Sequence, residues 1–273
     1  MKNKIVNIIL VLILIVGLGL LLYPTFSDYY NSFHQSRAIS SYVQEVSNMS
    51  DETYRSQLEA AQTYNADLIS GNNRFQPSRE ETDRYNELLN ITETGIMAYV
   101  EIPKIGVSLP VYHGTNEEVL HRAIGHLQGT SLPVGGTGTH CVLSGHRGLP
   151  SARLFTDIDQ LNEGDLFMIE TLGDTLTYQV DQIRIVLPSD FQELQIEEDA
   201  DYCTLVTCTP YGINTHRLLV RGHRVENAKT QAHVVMDAMQ IDPWLVAVVL
   251  IVVVLTVLFL GTMLFGTGRK EEG

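Results

Sequence analysis

The chain has 273 residues and a formal net charge of −14, which allows one domain of ordinary size plus appendages and argues against a nucleic-acid partner. Its three cysteines are an odd count. Cys203 and Cys208 stand five apart on one strand-like run, so they point to opposite faces and cannot pair there. No CxxC or Cys/His cluster has zinc-ligand spacing, so neither a metal nor another cofactor is expected.

Lys2 and Lys4 precede an uncharged run of 18 residues, Ile5 to Leu22, at the short end for a membrane span. No small-x-small cleavage site stands before Asp28, so residues 1–27 read as an uncleaved signal anchor. Residues 28–95 read as helices. Tyr54, Leu58, Ala61, Tyr64 and Leu68 recur at three- and four-residue steps and form one apolar stripe. Ser50 with Asp51 and Glu52 starts that helix and Gly71 stops it. Ser78-Arg79-Glu80-Glu81 is a capping box opening a shorter helix to about Leu89. Between the two helices lies the loop 71–77.

From Ile96 the pattern changes to period two with turn residues. Strand candidates are 98–105, 107–112, 140–144, 165–170, 175–186, 202–208 and 216–225. Short strands and 21 glycines favour a closed barrel over residues 96–228, with the boundary near Glu93-Thr94-Gly95. A linker, 229–243, leads to a second uncharged run of 22 residues, Trp244 to Phe265, and a tail, 266–273. Trp244 marks the interface, and Arg269 and Lys270 follow the span. Positive residues on the outer sides of both spans place both termini in the cytoplasm, with residues 28–240 outside the membrane. No internal repeat is present.

Two stretches carry chemistry. Thr204-Leu205-Val206-Thr207-Cys208 runs as a strand into the turn Thr209-Pro210-Tyr211-Gly212, and Arg217 begins the returning strand nine residues after Cys208. A cysteine at a strand end beside a fixed cation suits a thiolate nucleophile. Ser144-Gly145-His146-Arg147-Gly148 follows another strand-like run, and its flanking glycines put His146 at a loop or strand end and not within a helix. Together these give a nucleophile, a proton carrier and an oxyanion donor. Asp165 and Glu170 are acids available to orient His146, with nothing in the sequence to choose between them. Thr207 reads as a β-branched strand residue, and His140 and Arg147 are given no chemistry.

T-L-V-T-C resembles the TLxTC signature of sortases, and L-S-G-H-R-G their histidine segment. C-T-P-Y-G-I-N-T-H-R-L resembles the class C, pilus-assembling branch, and the likeness runs from about residue 28 to the C-terminus. The resemblance implies a mainly-β, closed eight-stranded sortase barrel with an N-terminal helical lid segment and a transmembrane helix at each end. It implies catalytic His146, Cys208 and Arg217, acting on LPxTG-type sorting signals of pilin proteins, with a monomeric ectodomain at the cell membrane. It also implies a lid loop carrying an Asp-Pro-aromatic plug. Here the matching tripeptide is Asn73-Arg74-Phe75, which keeps the aromatic and lacks the acid. Arg74 is then expected to face Arg217 as a like charge, and the lid to be weakly held. Two other readings stay open. One is a housekeeping sortase anchoring proteins to the cell wall, against which the second span and the helical segment argue. The other is a membrane-anchored binding module with a structural cysteine.

Overall fold

The computed structural model describes residues 2–70 and 74–227, with Val252 and Thr256. The linker, the C-terminal span, the tail and Asn73 lie outside the described residues. The exceptions are Val252 and Thr256, which are helical, with the Thr256 hydroxyl donating to the Val252 carbonyl at 2.7 Å. The chain divides into two units, Met1–Leu20 with Ala228–Gly273, and Leu21–Asn227.

Helix α1 covers Lys2–Ser47 and holds Pro24 in its interior, so the expected boundary at residue 27 falls inside a continuous helix. A segment of α1 beginning at Ile9 is long and apolar enough to cross a membrane. Within the larger unit, the later turns of α1 dock by named hydrogen bonds. Asn31 donates to the Ser151 carbonyl at 2.7 Å and Gln35 to the Arg122 carbonyl at 2.8 Å. The buried Tyr42 hydroxyl donates to the Met97 carbonyl and accepts from the Leu172 N–H, at 3.0 and 2.9 Å.

Helix α2 spans Asp51–Ser70, and the Ser50 hydroxyl accepts from the Thr53 N–H at its start, as the acidic first turn predicts. Its stripe is the expected one: Ala61 and Tyr64 are buried in the main core, and Tyr54, Leu58 and Leu68 pack against it. Helix α3 spans Arg79–Glu87, and both halves of the Ser78/Glu81 capping box are formed.

Eight strands follow: β1 Ile96–Ile102, β2 Val107–His113, β3 Ile124–His126, β4 Thr139–Ser144, β5 Leu166–Thr171, β6 Asp174–Val186, β7 Asp201–Thr209 and β8 His216–Val225. They close into a barrel in the order β1-β2-β3-β4-β7-β8-β6-β5. Alternation sends Leu143, Phe167, Ile169, Cys203, Leu205, Leu218 and Val220 into the barrel core. The sequence reading missed β3, whose three residues are too few to show a period. It also ran the first strand to 105, where Pro103–Ile105 instead form a 3-10 turn closed by Gly106. A short helix α4, Glu117–Leu120, lies between β2 and β3, capped by the Asn116 side chain accepting from the Val119 N–H.

The topology sets where chemistry can happen. Strands β4 and β7 are parallel neighbours, so both end at the same rim of the barrel. β8 is antiparallel to β7 and begins at that rim. β3 is antiparallel to β4, with Gly125 opposite Ser144, so α4 enters at the rim as well. On the outer face below it, Val142, Val206, Leu219 and Leu194 form a second apolar cluster, with Leu127 and Val186 against it.

Candidate active site

Cys208 is the penultimate residue of β7 and Arg217 the second of β8, and they are direct cross-strand partners. Directly opposed residues in an antiparallel pair share a face, so thiol and guanidinium stand on the same side. That side is the outer one, because Cys203, Leu205, Leu218 and Val220 take the inner positions. Cys141 and Cys203 are also Cα partners, but both are buried in the core, and burial pushes the Cys203 thiol well above its ordinary value. Cys208 alone of the three is partly exposed.

His146 leaves β4 two residues past its end. Its backbone is held against β7 from both sides of the preceding residue. The Gly145 N–H donates to the Val206 carbonyl at 3.0 Å, and the Thr207 hydroxyl donates to the Gly145 carbonyl at 2.8 Å. Thr207, the residue preceding Cys208, is therefore a buried tie to the histidine segment and not a mere strand filler. A second tie runs through Arg147, which pairs with Asp159 and lies 5.7 Å from the Tyr211 ring centroid, joining the histidine loop to the β7–β8 turn. Tyr211 packs so closely on Gly148, at φ +75°, that an added Cβ would lie 2.9 Å from its ring.

Among the described residues, no hydrogen bond joins Cys208 to His146. The His146 Nε2 is enclosed and lacks a hydrogen-bond partner. It lies 3.6 Å from a Glu117 carboxylate oxygen, which in turn is 3.2 Å from His121 Nε2. The two acids offered by the sequence are engaged elsewhere: Asp165 pairs with Lys104 at 2.7 Å, and the buried Glu170 accepts from the Thr175 hydroxyl. Glu117 and His121 escaped the sequence reading because they precede β3, and only the shared rim brings them to His146. The same convergence produces a His/His/Glu cluster that the absence of zinc-like spacing had argued against.

Arg217 Nη1 donates to the carbonyls of Asn214 and His216 at 3.3 and 3.2 Å. Five N–H donors leave the rest of the guanidinium for a ligand.

Arg74 does not take the place expected of it. Its Nη2 donates to the Leu194 carbonyl at 2.9 Å and to Gln195 Oε1 at 3.0 Å, so its charge serves the β6–β7 loop rather than opposing Arg217. Burial holds its guanidinium below the ordinary value. Phe75 packs on Phe191 with ring centroids 4.8 Å apart. The Arg74 carbonyl occupies the space where a Cβ of residue 129 would stand, and Gly129 at φ +90° permits it. Residues 74–75 thus bridge the β3–β4 and β6–β7 loops, which carry Leu127 and Leu194 against the outer cluster.

A sortase domain model matches residues 100–225. Sortase C1 of Streptococcus agalactiae is 53% identical, with a TM-score of 0.69 over 70% of this chain and 100% of that one. Clostridium perfringens sortase C, solved with the C-terminal cell wall sorting motif, is 45% identical, with a TM-score of 0.62 over 70% of this chain and 99% of that one. Sortase D of Bacillus subtilis is 29% identical over 137 residues, 49% of this chain and 66% of that protein, so the match spans just under two thirds of that relative. A closed eight-stranded barrel, the matching domain and solved relatives covered along their whole length lead to one conclusion: the chain belongs to the sortase family of cysteine transpeptidases.

Proposed function

We propose that this sortase is a pilus-assembling enzyme of class C, which cleaves an LPxTG-type sorting signal between Thr and Gly and joins the Thr carbonyl to a Lys amine of another pilin. The observation that carries this reading is the Cys208–Arg217 cross-strand pair with His146 tied to the same rim through Thr207. The likeness to sortase C structures supports the class.

The Cys208 thiolate attacks the Thr carbonyl carbon, forming the C–S bond and an oxyanion. The free donors of Arg217 stabilise that oxyanion and hold the peptide backbone. Collapse breaks the C–N bond while a protonated His146 gives its proton to the leaving Gly amine, leaving a thioester. His146 then takes a proton from the incoming Lys amine, which attacks the thioester and releases the thiolate. Glu117, with a carboxylate oxygen 3.6 Å from Nε2, limits rotation of the ring.

The segment that carries Arg74 and Phe75 acts as a lid, anchored by these two residues on the β6–β7 loop rather than by an acid on Arg217. The N-terminal span and the run 244–265 hold the catalytic domain outside the membrane with both termini in the cytoplasm. Incubating the purified ectodomain with candidate pilins tests the class. A ladder resistant to boiling in detergent, with a Thr–Lys isopeptide found by mass spectrometry, is expected. Transfer of the signal only to a cell-wall amine would assign the housekeeping role instead.

A further inference from the structure

Glu117 opens α4 and His121 caps its C-terminal end one turn later, with the His121 N–H donating to the Glu117 carbonyl at 3.0 Å. The Asn116 cap orders that turn, so both side chains project from one face. His146 faces them from the end of β4, its ring centroid 5.5 Å from that of His121. The donor atoms of all three lie within 4.8 Å of one another.

We propose that Glu117, His121 and His146 form a binding site for a zinc-like divalent cation, and that its occupancy switches the enzyme off. The geometry is the first argument. Zn–N and Zn–O bonds near 2.0–2.1 Å with tetrahedral angles put neighbouring donor atoms about 3.3 Å apart. Here the Glu117 oxygen lies 3.2 Å from His121 Nε2 and 3.6 Å from His146 Nε2, so two edges of the tetrahedron already have nearly the required length. The second argument is the state of His146. Its Nε2 is enclosed without a hydrogen-bond partner, as a nitrogen awaiting an electrophile would be. The third is the donor set. Two imidazoles and one carboxylate suit zinc and leave its fourth position open, whereas calcium and magnesium prefer oxygen ligands throughout. Glu117 and His121 are exposed, so the ion enters without unfolding anything. A metal on Nε2 removes that nitrogen from proton transfer.

The binding half of this proposal rests on geometry alone. The inhibitory half rests on the proton-carrying role given to His146 above. The experiment separates them. Zinc is titrated calorimetrically into the Cys208→Ala ectodomain, where no active-site thiolate is available as a ligand, and cobalt into the same protein while its visible spectrum is followed. One equivalent should bind, with the intense d–d absorption of tetrahedral cobalt and no sulfur-to-metal charge-transfer band. His121→Ala and Glu117→Gln in that background should each weaken zinc binding by at least about tenfold. In the enzyme with Cys208 intact, zinc should inhibit cleavage of a sorting peptide reversibly by chelator, and calcium and magnesium should not. His121→Ala should cleave normally without metal and resist zinc at least about tenfold better. Failure of the Cys208→Ala protein to bind, or equal zinc sensitivity in His121→Ala, would overturn the site. Binding without inhibition would overturn the switch while leaving the metal site intact, and would leave proton transfer by His146 to its other ring nitrogen, Nδ1.

Discussion

The Thr207 hydroxyl donates to the Gly145 carbonyl across 2.8 Å, and each of these residues is the immediate neighbour of one of the proposed catalytic groups, Cys208 and His146. Because Thr207 is buried, no water replaces that bond. Thr207→Val keeps the shape and leaves the carbonyl unpaired, a penalty of about 1–3 kcal/mol. We expect turnover of a sorting peptide to fall by roughly tenfold to a hundredfold with little change in KM, and Thr207→Ser to restore much of it. Unchanged turnover in the valine variant would mean that the tie does not position His146.

Arg217→Lys keeps the charge but loses the fork of donors, two of whose contacts already hold the β7–β8 turn. The loss of an oxyanion donor lowers kcat by about 10²–10³. Steady-state cleavage of a fluorogenic sorting peptide measures it, and a near-normal kcat would show that charge alone suffices.

Arg74→Ala removes the two hydrogen bonds to the β6–β7 loop. At about 1.5–3 kcal/mol for a bond to a charged donor, the loss of even one raises the open fraction of the loop by at least about tenfold. Thiol-reagent labelling of Cys208 should accelerate accordingly, while Cys141 and Cys203 stay protected in the core. Labelling at the wild-type rate would remove Arg74 from the account of the lid.

Burial pushes His140 down to about 4, between the Gln195 carbonyl and the Thr204 hydroxyl. In the unfolded chain the ring takes up a proton near pH 6.5. As pH falls from about 6.5 to about 4, the unfolded state binds a proton that the folded state refuses, so stability drops by up to about 3 kcal/mol. Above that window the contribution is intact, and below it no further loss comes from this residue. His140→Gln should flatten the fall in urea-unfolding free energy across that window relative to the wild type. Parallel curves would place the acid sensitivity elsewhere.

Much of this molecule was legible in the sequence because its signals are local. The α2 stripe, the Ser78 capping box and the alternation of β6 to β8 each depend on neighbours a few residues away. The positions of Cys208, Arg217 and His146 were legible because strand ends and turn residues mark them. What failed to show was long-range. Glu117 and His121 reach His146 only because the parallel β4–β7 pair and β3 share a rim. Arg74 finds Leu194 and Gln195, some 120 residues on, where no periodicity points. The three-residue β3 exists because β2 and β4 need a strand between them, not because its own residues demand one.

Cys208 is the proposed nucleophile, and intact-mass spectrometry tests that role directly. The ectodomain is mixed with an LPxTG peptide and quenched in acid, which preserves thioesters. One adduct equal in mass to the peptide up to its Thr acyl group should appear, map to Cys208, vanish with hydroxylamine, and be absent from Cys208→Ala. Full cleavage of the peptide by Cys208→Ala, or an adduct on Cys141 or Cys203, would contradict it.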